Sequence, residues 1–193
     1  RLAAYLHICA KNVNQRIERY AEVIASLQAP HSKDAPAVSV ELTKAEIDEM
    51  KEALDGKIYE LTARRRNYLI LRLDSFLSDG AATYDPTLLT IEHVLPQTVS
   101  DGSEWERLWP DPDGRKSWVH RIANLVPLTQ KRNSEAQNFD FNTKKTAYFG
   151  GKRGVSSYVL TTQVLKTAEW TPSVVDQRQK DLLEVLIDRW ELA

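Results

Sequence analysis

Ile91-Glu92-His93-Val94-Leu95-Pro96-Gln97 decides how this chain is read. The run Leu88-Leu89-Thr90-Ile91 leads into it, is rich in branched residues that suit a pleated surface, and is stopped by Pro96. The pattern predicts a short strand ending in a carboxylate beside a histidine. Such a pair brings together a hard oxygen ligand and a base, and histidine's ordinary pKa of about 6.5 suits proton transfer near neutrality. Successive strand residues point to opposite faces, so Glu92 and His93 share a site only if the strand bends or ends there. Pro96 supplies a reason for that bend. Taken alone, a Glu-His dipeptide is more often structural or exposed than functional, and the surrounding order of motifs has to decide.

Ahead of this stretch the chain reads as helix. Leu2, Leu6, Cys9, Val13, Ile17, Tyr20, Ile24 and Leu27 recur at steps of three and four and form one stripe on a helix face. Pro30 and Pro36 bracket a polar connector from Gln28 to Ser39. Thr43 followed by Glu46 is a capping box that opens a second helix, with a stripe from Ile47 to Phe76 and Gly56 inside it. Residues 1–80 are therefore expected as a helical hairpin or linker region, and residues 81–193 as a second unit. Beyond the Glu-His stretch lies a tryptophan-bearing excursion with Trp105 and Trp109. A second apolar run, Ile122 to Leu128, follows, in which Pro127 needs an edge or terminal place. Thr171-Pro172 reads as the cap and first residue of a last helix. The fold class expected is mainly α with a small β element.

Composition narrows the classes. The chain has 193 residues, 26 basic and 27 acidic side chains, 42% hydrophobic residues and one cysteine, Cys9. It contains no run of about 18 apolar residues, so no transmembrane helix is expected, and one cysteine excludes an internal disulfide or a Cys-rich zinc site. Arg1 stands in mid-pattern with no Met and no signal peptide, which reads as a fragment of a longer cytoplasmic protein. Charge is segregated: nine basic residues between Arg115 and Gly154 face only Glu135 and Asp140. That excess suits a polyanion surface, and equally a solvated basic face balanced by the acidic helices.

Order settles more than any single residue. His120-Arg121-Ile122-Ala123-Asn124-Leu125-Val126-Pro127-Leu128 is followed by Thr129-Gln130-Lys131-Arg132-Asn133, then Asn138-Phe139, Lys144-Lys145, Trp170, Arg178 and Trp190. His93 and Asn124 lie 31 positions apart, Asn124 and Asn133 nine. A strand ending in Glu-His-x-x-Pro, an Asn-Leu-x-x-Leu strand and a polar helix start with Asn resemble the HNH nuclease motif. More narrowly, the chain is similar to the C-terminal HNH domain of GmrSD-type restriction enzymes and of the related Ssp-type, phosphorothioation-linked defence nucleases. The resemblance runs from Leu61 to Trp190. Ala123 departs from it where the family often has glycine, and Asn133 stands where a histidine is common, which bears on metal preference.

The resemblance implies a helical region plus a ββα-metal core that cuts phosphodiesters with one divalent cation, Mg²⁺ or Mn²⁺. It implies His93 as general base, Glu92 and Asn133 as metal ligands, and Asn124 in the catalytic set, as a brace for the loop carrying His93. Arg121, Lys131, Arg132, Lys144, Lys145 and Arg178 are candidates for DNA phosphate contacts, which give affinity without sequence choice. Each has an ordinary reading beside it: Asn133 as a helix cap, the basic residues as solvated, Arg178 as a partner of Asp181 or Glu184, His120 as a lone surface histidine. Trp105 and Trp109 read as core or lid aromatics, with base stacking as the alternative. The function implied is a DNA endonuclease or nickase acting on foreign, phage or modified double-stranded DNA. It would be the C-terminal effector of a cytoplasmic bacterial defence protein, partnered by an N-terminal nucleotide-hydrolysing domain of the same chain. A non-catalytic DNA-binding domain and a helical protein-interaction module are the rival classes.

Overall fold

The computed structural model describes residues 1–10, 12–28, 40–78, 84, 89–129, 139–146 and 157–193. The polar connector after Gln28, the start of the first strand at Leu88, and Lys131, Arg132 and Asn133 lie outside the described residues. Among the described residues the architecture is mainly helical with one two-stranded antiparallel sheet, as the pattern predicts.

The helix expected over residues 2–27 is two helices, α1 (Leu2–Ile8) and α2 (Val13–Gln28). The break has local causes. Asn12 Oδ1 accepts the Gln15 N–H at 3.1 Å, a side-chain cap that starts a new helix, and the Arg65 guanidinium takes the Ala10 carbonyl. Hence only the first part of the stripe is internal: Leu2 and Leu6 are buried, whereas Val13, Ile17, Tyr20, Ile24 and Leu27 of α2 are exposed.

The capping box at Thr43 forms as read, with Thr43 N–H donating to Glu46 Oε2 and Glu46 N–H to Thr43 Oγ1. The helix it opens, α3 (Lys44–Leu54), stops at Asp55-Gly56 instead of running on to Phe76. A Cβ at Gly56 would meet the Ala53 carbonyl oxygen at 3.2 Å, so the tight turn there suits glycine. A 3₁₀ turn, Ile58–Glu60, then leads into α4 (Ala63–Leu77).

Strand β1 (Leu89–His93) pairs with β2 (Leu125–Thr129), in register from Leu89 opposite Thr129 to His93 opposite Leu125. The first three residues of the second apolar run form a 3₁₀ turn, Ile122–Asn124, before β2 begins. Pro127 is tolerated because in a two-stranded sheet each strand has a free edge that needs no donor. Helices α5 (Glu104–Leu108) and α6 (Pro112–Trp118) fill the connection between the strands, capped by Ser103 and Asp111. After β2 come α7 (Phe141–Lys144), α8 (Val159–Leu165) and α9 (Pro172–Arg189), the last capped by Thr171 with Pro172 at its first position.

The sheet lies between two apolar clusters. Leu89, Ile91 and Leu125 join residues of α1, α3, α4 and α9 in one. Val126 and Leu128 join Val94, Leu95, Trp105, Trp109, Phe141 and Trp170 in the other. Residues from both sides of position 80 share the first cluster. Trp105 and Trp109 are buried and their indole N–H groups bond the Phe139 and Trp170 carbonyls, so they serve the core, and the base-stacking alternative is not met.

Candidate active site

Asn124, fully buried at the end of the 3₁₀ turn, ties three segments together. Its Oδ1 accepts the Leu95 N–H at 2.7 Å and the Trp170 indole N–H at 3.0 Å. Its Nδ2 donates to the carbonyls of Leu95 at 2.9 Å and Val119 at 3.0 Å. The backbone adds Val94 N–H to Asn124 O at 3.0 Å. Every hydrogen-bonding position of the amide is thereby spent inside the protein. Asn124 braces the turn that follows His93 and does not face a substrate.

His93, on the same face of β1 as Leu89 and Ile91, is 5% exposed. Its Nε2 lies 3.2 Å from His120 Nδ1. Tyr59 holds both rings, tilted against His93 with centroids 4.1 Å apart and stacked parallel on His120 at 5.5 Å. The Tyr59 N–H donates to the His120 carbonyl at 3.0 Å, and the Arg66 guanidinium lies over the Tyr59 ring and bonds its carbonyl at 2.8 Å. Burial pulls the His93 pKa down to about 3, and the charges of His120, Lys144 and Arg66 push the same way. All of these favour the uncharged form of the His93 ring.

Glu92 leaves the other side of the strand. The Lys144 ammonium, fully buried, donates to Glu92 Oε1 at 2.8 Å and to the His93 carbonyl at 2.7 Å. Burial raises the Glu92 pKa above the ordinary carboxylate value while Lys144 opposes that shift. Burial in turn lowers the Lys144 pKa and Glu92 opposes it. Each charge is thus the other's solvation.

Against known proteins, residues 44–185 match the family model of the GmrSD restriction endonuclease C-terminal domain. The chain belongs to that family. No curated protein and no solved structure matched it. GmrSD membership makes the domain a restriction-type nuclease effector, with DNA as its substrate class. Enzymes of this type generally use a divalent cation.

With the GmrSD assignment in place, the geometry sorts the expected residues. β1 stays regular to His93, paired with Leu125, and ends there with the chain turning from Val94, so of the expected bend or end it is the end that is found. Lys144 is internal and holds Glu92, which corrects the phosphate contact expected of it. Arg178 is likewise inward: its guanidinium bonds the Ala123 and Leu160 carbonyls and Gln163 Oε1, in place of a phosphate or of Asp181 and Glu184. Lys145 donates to the Thr167 carbonyl at 2.7 Å over the Phe141 ring. Arg121 lies over Trp118 with a 3.3 Å contact to Asp55 and stays part-exposed. Lys131 and Arg132 lie outside the described residues.

Glu92 offers carboxylate oxygens, the donor type a hard cation takes, and Lys144 occupies one of them, Oε1, at 2.8 Å. Among the described residues no three His, Cys, Asp or Glu side chains gather, and the second expected ligand, Asn133, lies outside them. Tyr59 and Arg66 are neighbours of His93 and His120 that sequence reasoning missed, and His120, weighed as a metal or phosphate contact and read as a lone surface histidine, meets His93 instead. His120 was visible four positions before Asn124 but carried no partner in sequence. Tyr59 and Arg66 come from elements read as one continuous helix.

Proposed function

We propose that this GmrSD domain is an HNH-type, metal-dependent DNA endonuclease or nickase in which His93 is the general base. The observation that carries the reading is the His93 imidazole at the end of a two-stranded antiparallel element, with His120 3.2 Å from its Nε2. With Nε2 engaged by His120, the ring's other nitrogen, Nδ1, is the base that takes a proton from the attacking water. Tyr59 packs against both imidazoles, tilted on His93 and stacked on His120, and Asn124 fixes the turn beyond them. Glu92, with Asn133, would hold Mg²⁺ or Mn²⁺, which supplies charge stabilisation at the phosphate and its leaving oxygen. Lys144 pairs with Glu92 and ties it to the backbone of His93.

In this reading the domain cuts foreign double-stranded DNA, phage or modified, as the effector end of a cytoplasmic bacterial defence protein. Residues 1–80 serve as the connection to an N-terminal nucleotide-hydrolysing domain. The exposed apolar stripe of α2, outside the residues the family model covers, supports that contact. Among the described residues no helix is long and apolar enough to cross a membrane.

Incubation of the protein with supercoiled plasmid and Mg²⁺ or Mn²⁺ tests the reading. Relaxed or linear product is expected, lost on chelation and lost in His93→Ala, which still retains DNA. Equal cutting by wild type and His93→Ala overturns the assignment of the base. Salt-sensitive retention without cutting under either metal leaves a non-catalytic binding domain, and no retention leaves an interaction module.

A further inference from the structure

Beside the His93 turn lies a groove of about 260 Å³, walled on one side by Pro96, Gln97 and Thr98 and on the other by Arg115, Lys116 and Val119. Both walls continue directly into the site. Pro96 follows the two residues that Asn124 braces, and the Val119 carbonyl accepts Asn124 Nδ2 one residue before His120. The groove is basic, and none of the residues lining it is acidic. The nearest carboxylates on α6 are occupied: Asp111 accepts the N–H groups of Asp113 and Gly114, and Asp113 pairs with Lys116 at 3.1 Å. Among the described residues, Arg115 Nη1 is buried and has no hydrogen-bond partner. A guanidinium nitrogen without an acceptor costs free energy, more than a neutral donor would, so a shift of the Arg115 side chain that brings Nη1 to an anion in the groove is favoured. Phosphate oxygens match the fork of that side chain.

We propose that this groove binds a backbone phosphate of the DNA strand next to the one being cut, with Arg115 as the principal contact and Lys116, Gln97 and Thr98 around it. The inference rests on the reading of the domain as a DNA-cutting enzyme and names where its substrate is held. Because the groove shares Val119 and the Pro96 turn with the His93 site, an occupied groove sets the register of the strand across the imidazole. A phosphate contact carries no base preference, so the effect is the same on any duplex sequence.

Affinity for a fluorescent duplex is to be measured in a His93→Ala background, so that the DNA stays whole, across a series of salt concentrations. Arg115→Gln is expected to weaken binding on the order of ten-fold and to lower the slope of log K against log salt by about one, and Arg115→Lys to restore part of both. Unchanged affinity and slope in a folded Arg115→Gln protein overturn the proposal and leave the cutting site untouched. Equal losses in Arg115→Gln and Arg115→Lys, accompanied by a lowered melting temperature, also overturn it, since they mark a structural arginine. Absence of salt-sensitive binding before any change at Arg115 overturns the DNA reading itself along with this inference.

Discussion

Lys144 Nζ sits 2.8 Å from Glu92 Oε1, joining α7 to the end of β1 across 52 residues of chain. The ammonium is fully buried, so removing it strands a carboxylate in the protein interior. Lys144→Met is expected to lose about 3–5 kcal/mol of stability, the range for breaking a buried pair from one side. The double change Lys144→Met/Glu92→Gln should recover part of that loss, because the remaining group is then neutral. Urea unfolding of the two variants checks this, and equal midpoints for both would remove the pairing argument.

Asn124 and Arg178 are predicted to act on folding before they act on DNA. Asn124→Ala deletes four internal hydrogen bonds, each worth about 0.5–1.5 kcal/mol, and should lower the unfolding midpoint in step with any loss of cutting. Arg178→Met frees the Ala123 and Leu160 carbonyls and should destabilise likewise. Its salt slope for DNA binding should match wild type, whereas a phosphate-contacting arginine would lower that slope by about one.

His120 should matter to rate more than to affinity. His120→Ala removes the partner of His93 Nε2 and is expected to slow cutting on the order of ten- to a hundred-fold, the cost of losing a group that orients a reacting histidine. DNA retention should persist. The measurement is single-turnover cutting beside a filter-retention assay, and wild-type rates in His120→Ala would detach this residue from the mechanism.

The pattern of residues gave away the strand pair and its neighbours but not what the side chains meet. Periodicity located β1 to within a residue and the caps at Thr43 and Thr171, because these depend on local chemistry. It joined α1 to α2 and α3 to α4, since an apolar stripe continues in sequence across a turn made by Asn12 or Gly56. Motif order placed His93 and Asn124 correctly in the same part of the fold. What stayed hidden were the long-range partners: His120 beneath Tyr59, and the two cations, Lys144 and Arg178, that face inward. A basic side chain reads the same in sequence whether it meets water, a phosphate or a buried carbonyl.

A pH effect on stability follows from His7, whose Nε2 is buried without a partner among the described residues and whose ring lies edge-on to Tyr68. Burial lowers its pKa from the usual 6.5, a backbone hydrogen bond at Arg64 opposes this, and the charges of Arg64, Arg65 and Arg16 add to the lowering. The unfolded chain therefore takes up the proton first, and stability falls as pH drops below about 6.5 until the folded ring titrates as well. His7→Phe should show a smaller drop in urea midpoint between about pH 7 and pH 5 than wild type. Parallel curves would acquit this histidine.

The Lys144 bridge also ties the site to the order in which the chain is made. Glu92 and His93 leave the ribosome well before Lys144, and Arg178 and Gln179, which clasp the Ala123 backbone, emerge later still. A nascent chain halted before these residues holds Glu92 and His93 without the contacts that arrange them, and the turn ahead of β2 gains its side-chain clasp only once the last helix is made.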